Sequence, residues 1–510
     1  MAKQYDLTDD SVVVIIGSGA GGGTLSNELA QKGIDVVCLE AGARLTFSDI
    51  VNDPPLMDRR MGWHDERRGV PVWLCKTVGG TTMRWSGVSP RFLAHEFRAR
   101  TTYGAIDDTT LIDWPLTLEE LEPYYDKAEA KMGVSGTNGL PPSAENNNFK
   151  VLKAGARRLG YQDITSAHIA INSAPYDGRP ECQQIGFCND GCAIIAKWST
   201  LYTEIPKAED TDHFELRTKA MAVKIDHGER GKVTGVVYAD ENGALHEQKA
   251  RAVCVACNVV ETTRLLLLSE SSSFPDGLAN YSGHLGKNYM RHMANFAFAV
   301  MPGPVNLHRG ARQAGFIRDE HDHNPERGFA GGYLLELAGS TPAGYSEFAG
   351  WGADAQSWME NFSHAAGVFL VGEDPPQESN KINLHPTEKD ALGLPLPVLE
   401  YSYHPNTKAM LRHAIAQARE LYSALGATDI RDDSDQLGGG CHNMGVARMS
   451  ADPRDGVTNR WGQAHDIPNL FISDGSVFST SGAPNPTLTI VALAIRQADH
   501  IAERMARGEL

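Results

Sequence analysis

The segment Ser11-Val-Val-Val-Ile-Ile16 carries five successive β-branched residues with no polar alternation. Such a run reads as a strand covered on both faces, the situation inside a parallel sheet. Gly17-Ser-Gly19-Ala-Gly-Gly22-Gly follows at once, residues 24–31 read as a helix closed by Gly33, and a second apolar stretch at 34–39 ends in Glu40. The pattern predicts a complete β–α–β unit. At the other end, residues 487–505 read as a long amphipathic helix. Pro486 suits its first position and Asn485 its N-cap. The positive end of that helix would then face whatever lies in front of it. No apolar run approaches the length that spans a bilayer, and no internal repeat or low-complexity tract is present.

Composition narrows the class. A chain of 510 residues exceeds one compact core, which predicts two domains. Lys and Arg number 47 against 64 Asp and Glu, a net charge of −17 that weighs against nucleic acid or an anionic membrane surface as partner. The polar, acidic N-terminus lacks the features of a secretory signal. Export would therefore depend on another carrier. Eight cysteines are too sparse for a disulfide framework. Cys38, Cys75, Cys254, Cys257 and Cys441 sit in apolar or Gly-rich surroundings and read as small core residues.

The glycines have a physical logic. Gly17 permits the tight turn out of the strand, Gly19 lets backbone approach a pyrophosphate, and Gly22 lets helix pack on strand. The helix N-terminus offers free N–H groups to phosphate, and Glu40 suits a ribose diol. This predicts an adenine-dinucleotide site but does not separate NAD from FAD.

Three further segments resemble the glucose–methanol–choline (GMC) family of flavin oxidoreductases: Val78-Gly-Gly-Thr-Thr-Met-Arg-Trp-Ser-Gly87, the stretch 252–267, and 469–489. Cys257 stands where that family usually has glycine. The resemblance implies an α/β fold in which a Rossmann-type FAD-binding domain interleaves with a substrate domain built on an antiparallel sheet. It assigns residues 1–90, 200–295 and 435–510 to the first and 91–199 and 296–434 to the second. It places Gly79, Gly80, Thr81, Arg84, Trp85, Val223, Asp474, Asn485, Pro486 and Thr487 at the cofactor, beside Gly17, Gly19, Gly22 and Glu40. Cys441-His-Asn-Met-Gly-Val-Ala-Arg-Met449 is similar to the family's HxxGTxRM motif, with Val446 in place of Thr. His442 and Asn485 then match the family's catalytic pair. An imidazole suits the removal of a hydroxyl proton while hydride leaves carbon. Arg84 occupies a place where some relatives carry a flavin-linking histidine, which implies non-covalent FAD.

Cys182, Cys188 and Cys192 have the spacing C-x5-C-x3-C. Three thiolates on a Gly-containing loop suit three corners of an iron–sulfur cluster. The spacing resembles the large subunits of bacterial FAD-dependent glucose, fructose and glucoside-3 dehydrogenases, where a 3Fe–4S cluster sits. The competing reading is a loop of reduced thiols without iron. The resemblance implies a sugar or glycoside as substrate, with a non-sugar alcohol as alternative. It also implies a cytochrome c acceptor and a small subunit with a twin-arginine signal that carries the chain to the periplasm; cytoplasmic residence is the other expectation. Trp351, Trp358, Tyr333, Glu336 and His364 are candidate pocket residues in the middle segment, each with sheet packing or surface as the competing role. A NAD-dependent dehydrogenase and a non-enzymatic flavin scaffold are the rival classes.

Overall fold

The computed structural model describes residues 3–51, 53–62, 68–228, 231–433 and 442–510. Val13–Ile16 forms the centre of a five-stranded parallel sheet. The order across it is Leu470–Ile472, Ala252–Val255, Val13–Ile16, Val36–Glu40, Phe214–Thr218. All four residues of the central strand are buried, as an unalternated apolar run requires. The helix Ala20–Gln31 follows the glycine turn and packs against the final helix, Thr487–Ala506. Gly33 takes φ +76° just past the end of the first helix, where a left-handed residue closes a helix. A three-stranded antiparallel sheet, Met221–His227, Val233–Ala239 and Leu245–Lys249, is inserted between Phe214–Thr218 and Ala252–Val255.

A second, six-stranded antiparallel sheet runs in the order Asp429–Asp432, Met293–Val300, Ala365–Gly372, Tyr333–Leu337, Gly315–Ile317, Ile164–Ser166. Its two faces have different tasks. Met293, Ala297, Leu335, Leu337, Val368 and Leu370 pack with helices Asn147–Arg158 and Pro405–Ser423. Ala294, Leu334, Ala338 and Phe369, with Phe296, form a separate apolar layer on the opposite face. That layer looks onto a cavity shared with the parallel sheet, since Phe296, Ala338 and Phe369 line it. No helix among the described residues is long and apolar enough to cross a membrane.

Candidate active site

The cavity encloses about 820 Å³, within the range of small-molecule and cofactor sites. At one end lie Gly17, Ser18, Gly19, Ala20 and Gly21, beside Glu40 and the second glycine-rich stretch. Gly17 has φ +96°, and a Cβ there would stand 2.5 Å from the Ala256 carbonyl oxygen. The two stretches abut: a Cβ on Gly80 would lie 3.1 Å from the Cα of Gly19. Backbone thus reaches the cavity bare, and the N-cap Gly19 places no side chain over the helix N-terminus. A pyrophosphate fits such a cradle. Gly22 does not line the cavity; its Cβ would meet Gly17 O at 1.9 Å and Ala256 Cβ at 3.0 Å, the close helix–strand packing expected of it.

Ser18, absent from the sequence reading, joins these parts. Its hydroxyl donates to Glu40 Oε2 at 2.6 Å and accepts from the Gly79 N–H at 3.1 Å. Glu40 also accepts from the backbone N–H groups of Ser18 and Gly42. Burial raises the Glu40 carboxyl above its ordinary range, against those hydrogen bonds. Asp474 is similarly held: Thr262 donates to Oδ2 at 2.6 Å and the Ser476 N–H to Oδ1 at 2.8 Å. Thr81, Arg84, Trp85, Asp474, Pro486 and Thr487 all line the cavity. Arg84 pairs with Asp58 at 2.5 Å and Asp190 at 3.2 Å, and Trp85 Nε1 donates to the Trp198 carbonyl.

Two expectations move. Val223 does not line the cavity; Ala220, Met221 and Ala222 do. The pairing register shifts between Ala222 and Lys224, so the irregularity at Val223 breaks the alternation. Asn485 is not the N-cap of the last helix. Pro486 holds that position with no side-chain cap, and the Asn485 amide turns instead to His442.

His442 lines the same cavity as Glu40. Asn485 Nδ2 lies 3.4 Å from its Nε2, and His292 Nδ1 lies 2.9 Å from its Nδ1. Burial, and then the neighbouring His292, hold the His442 imidazole well below the ordinary histidine range, so it is neutral. Met444 pairs with Met290 across an isolated bridge, and the Gly445 N–H donates to Gly475 O at 3.0 Å, which fixes the segment after His442. Val446 takes φ +70°, a strained conformation for a β-branched residue and one more sign of a constrained segment.

The wall facing His442 and Asn485 is aromatic. Phe296 and Phe369 stack at 4.5 Å, Phe298 and Phe348 meet edge to face at 4.9 Å, and Gln313 supplies an amide. The candidate pocket residues from the middle segment take other positions. Trp351 is 93% exposed, Trp358 is buried against Tyr345, Tyr333 packs on the helical side of its sheet, and His364 Nδ1 contacts the Met301 carbonyl. Glu336 is buried beside Asn485 and accepts from Gln313 Nε2 at 2.8 Å; burial pushes its carboxyl up to about 8. The Phe296–Phe369 pair was not foreseen, because an apolar strand does not disclose which face meets a cavity.

Cys188 and Cys192 are buried and Cys182 is partly so, all free thiols; their sulfurs do not converge within 4.8 Å, and among the described residues only His95, Glu96 and Glu373 do. Cys182 Sγ accepts the Gln184 N–H at 3.4 Å. Lys197 is buried beside them, donating to the carbonyls of Met83, Trp85 and Cys188, and Arg312 is buried near Cys188. Burial pushes the Cys182 thiol up to about 11 and raises that of Cys188, against the opposing pull of Lys197 and Arg312 on Cys188. Burial pushes the Lys197 ammonium down to about 8. Asn189 and Asp190 line the cavity, so this loop borders it directly. Cys441 lies outside the described residues.

A dinucleotide cradle facing a histidine–asparagine pair across one cavity defines an oxidoreductase. The chain belongs to the GMC oxidoreductase family, whose N-terminal model matches residues 65–294 and whose C-terminal model matches 376–494. It is 35% identical over 551 aligned positions to 2-methyl-1,2-propanediol dehydrogenase of Mycolicibacterium austroafricanum, covering 99% of this chain and 97% of that one. It is 29% identical to the fructose dehydrogenase large subunit of Gluconobacter japonicus, covering 97% and 98%. In fold it is similar to pyridoxine 4-oxidase from Mesorbium loti, with a TM-score of 0.68 at 16% identity, covering 97% and 99%.

Proposed function

We propose that this chain is an FAD-dependent alcohol dehydrogenase in which His442 Nε2 receives the hydroxyl proton of the substrate. The observation that carries this reading is the His442 imidazole 3.4 Å from the Asn485 amide, in one cavity with the glycine cradle. Gly17, Gly19, Gly80, Glu40 and Asp474 would hold FAD, which when bound accepts the hydride, while Gly79, expected at the cofactor, lies off the cavity and gives its N–H to Ser18. Arg84, paired with two carboxylates, leaves the flavin non-covalently held.

The substrate is an aliphatic alcohol or diol with an apolar face. A sugar presents hydroxyls all round its ring, whereas Phe296, Phe298, Phe348 and Phe369 give the cavity a largely apolar wall on which Gln313 supplies an amide. The relationship to a propanediol dehydrogenase supports the same choice. The sugar reading retains support from the relationship to a fructose dehydrogenase subunit. Cys182, Cys188 and Cys192 would hold an iron–sulfur cluster, which when bound would supply an exit for electrons toward a cytochrome, with a co-exported small subunit as carrier to the periplasm. The placement of all three free thiols on one loop that borders the cavity through Asn189 and Asp190 supports this route.

One preparation tests the whole reading. Yellow protein from an iron–sulfur-competent host is screened by dye reduction with aliphatic alcohols, diols, polyols, sugars and glycosides, and its iron is measured. The expected outcome is turnover with branched alcohols or diols, iron near three per chain, and a loss of about 10²–10⁴-fold in kcat for His442→Ala with flavin retained. Full activity in His442→Ala overturns the assignment of the base. Sugar-only turnover overturns the substrate class, and iron-free protein overturns the electron route.

A further inference from the structure

His292 immediately precedes the strand Met293–Val300 and is 1% exposed. Its ring meets that of His442 edge to face, with centroids 4.9 Å apart. The 2.9 Å contact joins two Nδ1 atoms, and such a contact holds one hydrogen that either ring can own. The third partner decides between them. His292 Nε2 lies 3.3 Å from the carbonyl oxygen of Ser481, and a carbonyl only accepts, so Nε2 carries the hydrogen.

Burial pushes the His292 imidazole down to about 4, so the ring is neutral and holds one hydrogen. Its Nδ1 is therefore bare and accepts. The hydrogen in the shared contact then belongs to His442 Nδ1. His442 is neutral as well, which leaves its Nε2 bare on the cavity side, where the Asn485 amide donates.

The Ser481 carbonyl is itself fixed. The Asp374 N–H donates to Ser481 Oγ at 2.8 Å, Trp114 Nε1 to Thr480 Oγ1 at 2.6 Å, and the Ala483 N–H to the buried Glu96 carboxylate at 2.7 Å.

We propose that His292 is a positioning residue whose bare Nδ1, backed by the Ser481 carbonyl, holds His442 in its Nδ1–H tautomer and so makes Nε2 the proton-accepting atom. This rests on His442 acting as the base. The alcohol proton passes to Nε2, and FAD, when bound, would take the C–H hydrogen with its electron pair, which leaves a carbonyl product. The resulting imidazolium keeps its Nδ1–H on His292. The relay stops at the Ser481 carbonyl, which takes no proton, so His292 orients the base and exports nothing.

The test is nitrogen NMR of the flavin-loaded enzyme labelled with ¹⁵N-histidine, with the His442 signals assigned by their loss in His442→Gln. The expected spectrum shows His442 Nδ1 protonated and Nε2 bare. In His292→Phe the hydrogen moves to Nε2, and kcat falls by about 10²–10⁴-fold with KM and flavin content nearly unchanged. His292→Asn keeps an acceptor oxygen near the lost Nδ1 and restores both the tautomer and most of kcat. A wild-type spectrum with hydrogen on Nε2 overturns the proposal without any variant, and so does a His292→Phe enzyme with unchanged kcat. Failure of His442 as base shows separately, as turnover surviving in His442→Ala.

Discussion

A methyl group placed on Gly21 would lie 1.6 Å from the carbonyl oxygen of Ser473. Backbone cannot yield that much, so Gly21→Ala should cost about 3 kcal/mol or more and lose flavin. A thermal melt with flavin analysis checks this; full flavin at an unchanged Tm would refute it. The turn glycines Gly17, Gly19 and Gly22 were legible from their spacing directly after a buried strand, although a Cβ on them would meet Ala256 and Gly80 from elsewhere in the chain. Gly21 was not, because its neighbour Ser473 lies at the far end of the chain. His292 was hidden because its partner His442 lies 150 residues on, and Ser18 because a serine between two glycines does not disclose that its hydroxyl joins Glu40 to Gly79. The depressed His442 has a pH consequence. Its neutral, proton-accepting form persists as pH falls below the ordinary histidine value of about 6.5. The acid limb of kcat/KM should therefore fall below pH 6, and a midpoint near 7 would contradict the burial described. The sign for stability agrees: below about pH 6.5 the unfolded chain binds protons that native His442 and His292 refuse, so stability drops as pH falls.

Between elements, the helix Ala20–Gln31 is tied to Leu118–Met132 and Glu204–Glu209 by one buried carboxylate. Glu204 accepts from Asn27 Nδ2 at 2.6 Å, Lys131 Nζ at 3.0 Å and Trp198 Nε1 at 3.4 Å, and it is fully buried. Lys131→Ala strands that charge and should cost about 3 kcal/mol. Lys207→Ala, which breaks a partly exposed pair with Asp177, should stay within about 0.5 kcal/mol. Equal midpoints in denaturant for the two variants would refute the difference. The parallel strands and the long helices were readable from apolar runs and helical spacing. The second sheet was readable only through resemblance: Met293–Val300 is apolar at nearly every position because helices cover one face and the cavity borders the other. Asn485 was misplaced by one position for a local reason. Asn before Pro is a good N-cap by preference, but a tertiary partner, His442, claimed its side chain.

Across the whole molecule, the parallel sheet gathers strands from residues 13–40, 214–218, 252–255 and 470–472, while the second sheet fills the gaps between them. The cavity exists only where these two sheets meet, which is why the pattern of either alone shows a cradle or an apolar wall but never a pocket. The same interleaving sets the order of events at the ribosome. The cradle at Gly17–Glu40 is made long before its outer strand at 470–472 and the Asn485–Thr487 corner. At about 5–20 residues per second, some 450 residues of synthesis separate them, roughly 25–90 s. Throughout that interval the nascent chain carries a nucleotide turn that has no far wall. Cofactor capture is therefore an event of the finished polypeptide, and the yield of active enzyme depends on how well the early segments are shielded while they wait.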